Sequence, residues 1–354
     1  MSISRRSLGL SLSLAGCAGH AVVGDGPPPP TLMSQVSGTT ALLIAVSAAN
    51  DSVVWVAGAN RTFARTVNGG AAWTAAQVDV PDAPGLQFRD VHAVDASIAY
   101  LLSIGNGRDS RIFKTTNAGA SWQTQFVNTD SAAFYDCFDF WSPDSGVVTS
   151  DAVRGELVVR VTTNGGASWD RVPASALSRA IEGEGSFAAS GTCVVTRPGG
   201  HAWIGTTKGR VLHTPDYGRT WSAVRAPVTV SDSVGVVSVA FRDARHGAAF
   251  GGFGGAPTDS LLAVTSDGGA TWTLRARPPL RGGVSGGAYV GDSRAIVVGG
   301  FTGAAYSPDE GTTWVPLDTA NYWGIGFAPS GRVGWLTGRG GRIVRVAWQS
   351  STIQ

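Results

Sequence analysis

The sequence predicts an all-β fold, a seven-bladed β-propeller whose ring is closed by an N-terminal strand. Three observations carry that expectation. An eight-residue phrase returns six times: TVNGGAAW (Thr66 to Trp73), TTNAGASW (Thr115 to Trp122), TTNGGASW (Thr162 to Trp169), TPDYGRTW (Thr214 to Trp221), TSDGGATW (Thr265 to Trp272) and SPDEGTTW (Ser307 to Trp314). Its closing tryptophans lie 42 to 52 residues apart, a period that marks one supersecondary unit per repeat. Between the phrases run short apolar stretches separated by glycines and turn residues, the pattern of many short strands.

Each repeat reads as four strands. An apolar run opens it, as in Phe138-Asp139-Phe140-Trp141 or Val236 to Phe241. A second run follows a glycine or turn, as in Gly146-Val147-Val148-Thr149, and a third precedes the phrase, as in Arg111-Ile112-Phe113-Lys114. A fourth begins near the tryptophan. Four-stranded units of this length arranged radially make a propeller and leave only short, protected edges.

The phrase itself has the residues of a tight hairpin. Its third-position side chains (Asn68, Asn117, Asn164, Asp216, Asp267, Asp309) are expected to bond the backbone two residues on. Its fifth-position glycines (Gly70, Gly119, Gly166, Gly218, Gly269, Gly311) permit positive φ. Its tryptophans (Trp73, Trp122, Trp169, Trp221, Trp272, Trp314) cover the hairpin with apolar area while each indole N–H needs a partner. The leading hydroxyl satisfies one more backbone donor.

The blade count comes from the second strands, near Trp55, Tyr100, Val148, Trp203, Ala249, Val297 and Trp335. The last repeat has no closing phrase. Its missing fourth strand is expected from the segment Thr31 to Val36, which would remove an open edge. The propeller is therefore expected over residues 31–349, with residues 350–354 a short tail.

Composition narrows the function classes. The net charge is +2, which gives no nucleic-acid footprint. Lys114 and Lys208 are the only lysines among 27 cationic side chains, so arginine dominates. That bias reads as genomic composition or as recognition of carboxylates or phosphates by planar guanidinium groups. Residues 1–17 read as an address: Ser4-Arg5-Arg6-Ser7-Leu8 resembles a twin-arginine export motif, and Leu14-Ala15-Gly16-Cys17 matches a bacterial lipobox. Cys17 is the expected lipidation site, and residues 18–30, with four consecutive prolines, a stiff tether. The chain is thus expected in the periplasm or cell envelope, touching membrane only through its lipid. Cys137 and Cys193 each fall in an expected innermost strand of neighbouring blades. They are either a disulfide or two buried thiols.

The phrase resembles the Asp-box, or bacterial neuraminidase repeat, of sialidases, other glycan hydrolases and several non-enzymatic propellers. Across nearly the whole mature chain the arrangement is similar to propellers related to photosystem II stability/assembly factors. Ala202-Trp203-Ile204-Gly205, Gly209-Arg210-Val211-Leu212 and the phrase from Thr214 to Trp221 follow that group's order within a blade. Tyr135 to Trp141 and Phe187 to Cys193 look like a bacterial exported branch of it. The resemblance implies the fold and no proven chemistry.

Sialidase chemistry finds no footing. The early Arg-Ile-Pro string of that family is absent, and Arg171-Val172-Pro173 follows a phrase, on the wrong strand. Other glycosidases need two carboxylates about 5 to 9 Å apart. Asp90, Asp136, Asp139, Asp151, Glu182 and Glu184 are the candidates, in blades two to four at the face where inner strands begin. The competing expectation is that they are solvated in a wet central channel. Gly283 to Gly287 matches G-x-S-x-G without the helix a nucleophile elbow needs. No dinucleotide fingerprint or metal-ligand motif occurs, so neither cofactor nor metal is expected. His92, His201, His213 and His246 are expected at turns and strand ends.

For binding, Arg89, Arg108, Arg281 and Arg339 with Tyr322 and Trp323 are expected on the same central face. Arginine and aromatic residues dominate recognition hot spots. The functional expectation is an exported scaffold for an envelope protein or peptide. The alternative is a glycan-active hydrolase.

Overall fold

Seven four-stranded antiparallel sheets stand around one axis in the computed structural model, which describes residues 28–231, 234–252 and 260–348. The export signal with Cys17, most of the tether and the C-terminal tail lie outside the described residues. Blade 1 is built of Leu43–Ala48, Val54–Gly58, Thr62–Thr66 and Thr74–Gln77, from the axis outward. Blades 2 to 6 repeat this order, opening with inner strands Gln87–Ala93, Tyr135–Ser142, Val194–Arg197, Val236–Phe241 and Val284–Tyr289.

Blade 7 takes Ile325–Phe327, Val333–Thr337 and Ile343–Ala347 from the chain end and Thr31–Gln35 from its beginning. Thr31 pairs with Ala347 and Gln35 with Ile343, antiparallel. The ring therefore closes by strand exchange, and the ladder bonds tie the two ends of the domain together.

The core lies between blades. One cluster joins Trp55 and Phe63 of blade 1 to Phe88, Leu101 and Phe113 of blade 2. Trp55, Tyr100, Trp203 and Trp335, all on second strands, are fully buried there. Truncating a plate of this kind costs about 3–5 kcal/mol.

The six phrases share one geometry. The first-position hydroxyl accepts the N–H of the fifth-position glycine at 2.7–3.0 Å. The third-position Oδ1 accepts the N–H of the seventh residue at 2.8–2.9 Å. The side chain thus reaches four residues on, not the two expected, because the turn spans two consecutive left-handed residues. Fourth positions have φ of +57° to +77° and fifth positions +80° to +96°. Ala118, Tyr217 and Glu310 adopt the first of these without being glycine.

The phrase also faces a neighbour. Trp122 of blade 2 meets Phe63 and Trp55 of blade 1 at 5.2 and 6.0 Å between ring centroids. A Cβ on Gly119 would come within 2.6 Å of Phe63. The second-strand aromatic answers from the other side: Tyr100 donates to Gly165 O at 2.9 Å and Trp203 to Gly268 O at 2.8 Å, each in the next blade. The phrases therefore clamp blade to blade and do more than cap their own hairpins.

Candidate functional site

The seven inner strands begin at one face, called upper here, and the blade turns bearing the phrases define the lower face. The sequence places candidate residues at the upper mouth of the channel. In the structure that mouth is closed. Residues 186–192 leave the blade 4 ladder and cross the axis before the inner strand Val194–Arg197 begins, so Phe187 to Cys193 is a plug and not the expected inner strand.

The plug is tied on several sides. Ser190 Oγ donates to Ser285 O of blade 6 at 2.8 Å, and Thr192 Oγ1 to Ser238 Oγ of blade 5 at 2.8 Å. Arg89 of blade 2 donates to Ala188 O at 3.1 Å. Gly191, at φ +75°, fits against Asp90 and Ala45, where a Cβ would lie 2.3 Å from Asp90 Oδ1. Cys193, at the plug's end, is disulfide-bonded to Cys137 of blade 3, with Cα atoms 6.0 Å apart.

The candidate carboxylates divide into separate settings, and the wet-channel expectation fails for the buried ones. Asp90 is buried and accepts the backbone N–H of Val91 at 2.8 Å and of Phe138 at 2.9 Å. Burial pushes its pKa well above the usual carboxylate range, against those N–H bonds. Asp136 and Asp151 come together. Burial, and then the charge of Asp151, drive the Asp136 carboxyl well above its ordinary value, and Asp136 Oδ2 is buried with no hydrogen-bond partner among the described residues. Burial pushes Asp151 up to about 6, opposed by the Ser186 N–H at 3.2 Å.

Glu184 is buried and grips Arg210 through both oxygens, with Nε at 2.9 Å. Glu182 is exposed. Asp139 lines the lower channel. It accepts His92 Nδ1 at 3.0 Å, Thr196 N at 2.8 Å, Thr196 Oγ1 at 3.0 Å and Phe140 N at 2.8 Å. Burial pushes its carboxyl up, but the bonds from His92, Thr196 and Phe140 outweigh burial and hold it low. His92 is the penultimate residue of the inner strand Gln87–Ala93, at a strand end as expected.

The arginine and aromatic candidates are only partly united. The Arg89 guanidinium lies 5.2 Å from the Trp323 ring centroid, above the plug. Burial lowers the Arg89 pKa. Tyr322 is buried, its hydroxyl on Asp318, and offers no surface. Arg108, Arg281 and Arg339 are exposed on three separate loops, Arg339 beside a shallow groove of about 850 Å³ between residues 34–40 and 339–343.

The lower part of the channel is a cavity of about 380 Å³ lined from all seven blades. It adjoins a lower-face groove of about 680 Å³, and Arg197, Tyr289, Phe327 and Pro329 line both. Sequence reasoning missed Arg197 and the plug. The interval between the third phrase and blade 4, longer than a tight connection needs, was the signal for the plug.

The chain matches no protein-family model and no curated protein. Solved structures do resemble it. One described as YCF48 bound to D1 peptide is 18% identical, with a TM-score of 0.64 over 92% of this chain and 100% of that one. YCF48 from Cyanidioschyzon merolae is 16% identical, with a TM-score of 0.63 over 89% and 98% of the two chains. A GH74 xyloglucanase from Xanthomonas campestris is 15% identical, with a TM-score of 0.62 over 92% of this chain and 55% of that one. At these identities the likeness is one of architecture, and this chain shares with them the seven-bladed propeller.

Proposed function

We propose that this chain is an exported, lipid-anchored propeller of the Asp-box type that binds a protein or peptide partner at its upper face, as an assembly or stability factor does. The observation that carries the reading is the Arg89–Trp323 stack, held above a plug that closes the channel beneath it. A guanidinium over an indole presents donors and an apolar face together, the composition of a recognition hot spot. Exposed Arg108, Arg281 and Arg339 on surrounding loops favour an acidic or carboxylate-bearing peptide. The likeness to a propeller bound to a peptide supports the same direction.

The test is fluorescence polarisation of an acidic-peptide library against the full chain, followed by Arg89→Ala and Trp323→Ala. Binding lost in both, with folding intact and with a lower-face Arg294→Ala unaffected, supports the reading. Binding indifferent to both upper-face changes overturns it. Anchoring at Cys17 is tested by metabolic labelling with an alkyne fatty acid, which Cys17→Ser should abolish.

A second reading, a glycan-active hydrolase, is favoured by one feature. Asp136 and Asp151 are neighbouring carboxyls whose proton affinity burial raises, the property a general acid requires. Turnover of a β-glucan and xyloglucan panel that disappears in Asp136→Asn would establish it. No turnover by the wild-type chain would remove it.

A further inference from the structure

The lower end of the channel has the make-up of a ligand pocket and a different chemistry from the upper face. Its volume, about 380 Å³, falls in the range of small-molecule sites. Gly191 and Thr192 of the plug close its inner end. Apolar side chains, Val46, Val91, Val194, Val239, Ala288 and Phe327 among them, line part of its wall beside a somewhat larger share of polar surface. The charged or titratable side chains that line the cavity are Asp90, His92, Asp139, Arg197 and the phenol of Tyr289.

Most of these polar groups are already occupied by the protein. Both Asp90 oxygens accept backbone N–H groups, and Asp139 accepts from His92, Thr196 and Phe140. Tyr289 points its hydroxyl at Glu310, 3.4 Å away. Arg197 is the exception. Its guanidinium makes one hydrogen bond among the described residues, from Nη1 to Thr196 O at 3.1 Å. It lines both the cavity and the adjoining groove, at their junction. Asp139, Asp243 and Asp292 lie near enough to attract it, which limits the negative charge a ligand could add.

We propose that this pocket binds a small monocarboxylate with an apolar body, its carboxylate on Arg197 and its hydrocarbon part in the channel. A guanidinium matches a carboxylate with two parallel N–H···O bonds. A dianion would set a second charge against three nearby aspartates, and an alcohol would leave the guanidinium donors half used. The site is separate from the upper face, so it stands whether or not a peptide binds there.

Isothermal titration of the full chain with octanoate, 3-phenylpropionate, succinate, octanol and octylamine tests the proposal. Both monocarboxylates should bind, and succinate, octanol and octylamine should bind more weakly. Arg197→Gln should weaken the monocarboxylates by about tenfold or more, one lost charge-assisted contact. Ala240→Phe, which fills the cavity wall, should abolish binding, and Arg89→Ala at the upper mouth should leave it unchanged. If Ala240→Phe fails to fold by circular dichroism, Ala288→Leu takes its place. Octanol or octylamine binding as tightly, no heat from either carboxylate at millimolar concentration, or an unaltered affinity in Arg197→Gln would overturn it.

Discussion

Gln35 accepts the indole N–H of Trp335 at 3.2 Å, across 300 residues of sequence. The same Oε1 accepts Trp73 Nε1 at 3.1 Å, and Gln35 Nε2 donates to Gly69 O at 3.1 Å. One amide thus joins the exchanged strand, blade 7 and the phrase of blade 1 at the seam where the ring closes. Gln35→Ala should cost about 2–3 kcal/mol by leaving two indole donors and a carbonyl unpaired. Urea denaturation should show this loss, and limited proteolysis should release the N-terminal strand first. An unchanged midpoint would mean that the strand pairing alone holds the seam.

Gly119 has φ of +86° and faces the Phe63 ring. Gly119→Ala therefore meets backbone strain and a clash together. The expected loss is about 2–4 kcal/mol, read as a lower denaturation midpoint with an unchanged slope. Ligand binding at either end of the channel should persist in the folded fraction, since the phrase lies between blades and away from the axis.

The carboxyl of Asp151 is pushed up to about 6 by burial. In the unfolded chain it titrates near 4. Between these values the folded state holds the proton and the unfolded state does not, so stability falls as pH rises through that window and stays lower above it. Asp151→Asn is neutral at every pH and keeps an acceptor for Ser186. It should match the wild type near pH 4 and exceed it by up to about 2–3 kcal/mol at pH 7. Parallel stability curves for the two proteins from pH 4 to 7 would contradict the assignment.

The Cys137–Cys193 bond closes a loop with a sequence separation of 56. Reduction, or Cys137→Ser with Cys193→Ser, should cost about 2–4 kcal/mol through the unfolded chain. The plug should also loosen, seen as faster amide exchange at Thr192, whose carbonyl accepts Val239 N at 2.9 Å, and at Val239 itself. Equal exchange in both redox states would show that the hydrogen bonds of Ser190 and Thr192 hold the plug without the disulfide.

Much of the scaffold was legible because its instructions are local. A hydroxyl, an amide or carboxylate, a glycine and a tryptophan at fixed spacing write a turn whose bonds close within five residues. The seven second strands could be counted for the same reason. The reach of Asn68 to Ala72, and the left-handed conformation at Ala118, Tyr217 and Glu310, were not legible, because those residue types do not demand that backbone.

The candidate site was legible only in part. Arg89 and Trp323 were expected on one face and do meet, and Asp136 and Asp151 prove to be neighbours. Tyr322 and Asp139 failed the same expectation, since burial and facing depend on register about the axis.

The sequence by itself determined the repeat, the number of blades and the strand that closes the ring, since each follows from short-range periodicity and turn chemistry. Only the tertiary structure decided that residues 186–192 plug the upper mouth, that the phrases clamp neighbouring blades and that Arg197 stands at the junction of cavity and groove. Those relationships join residues from blades far apart in the chain. Their distances arise from closing the ring, and no local pattern encodes them.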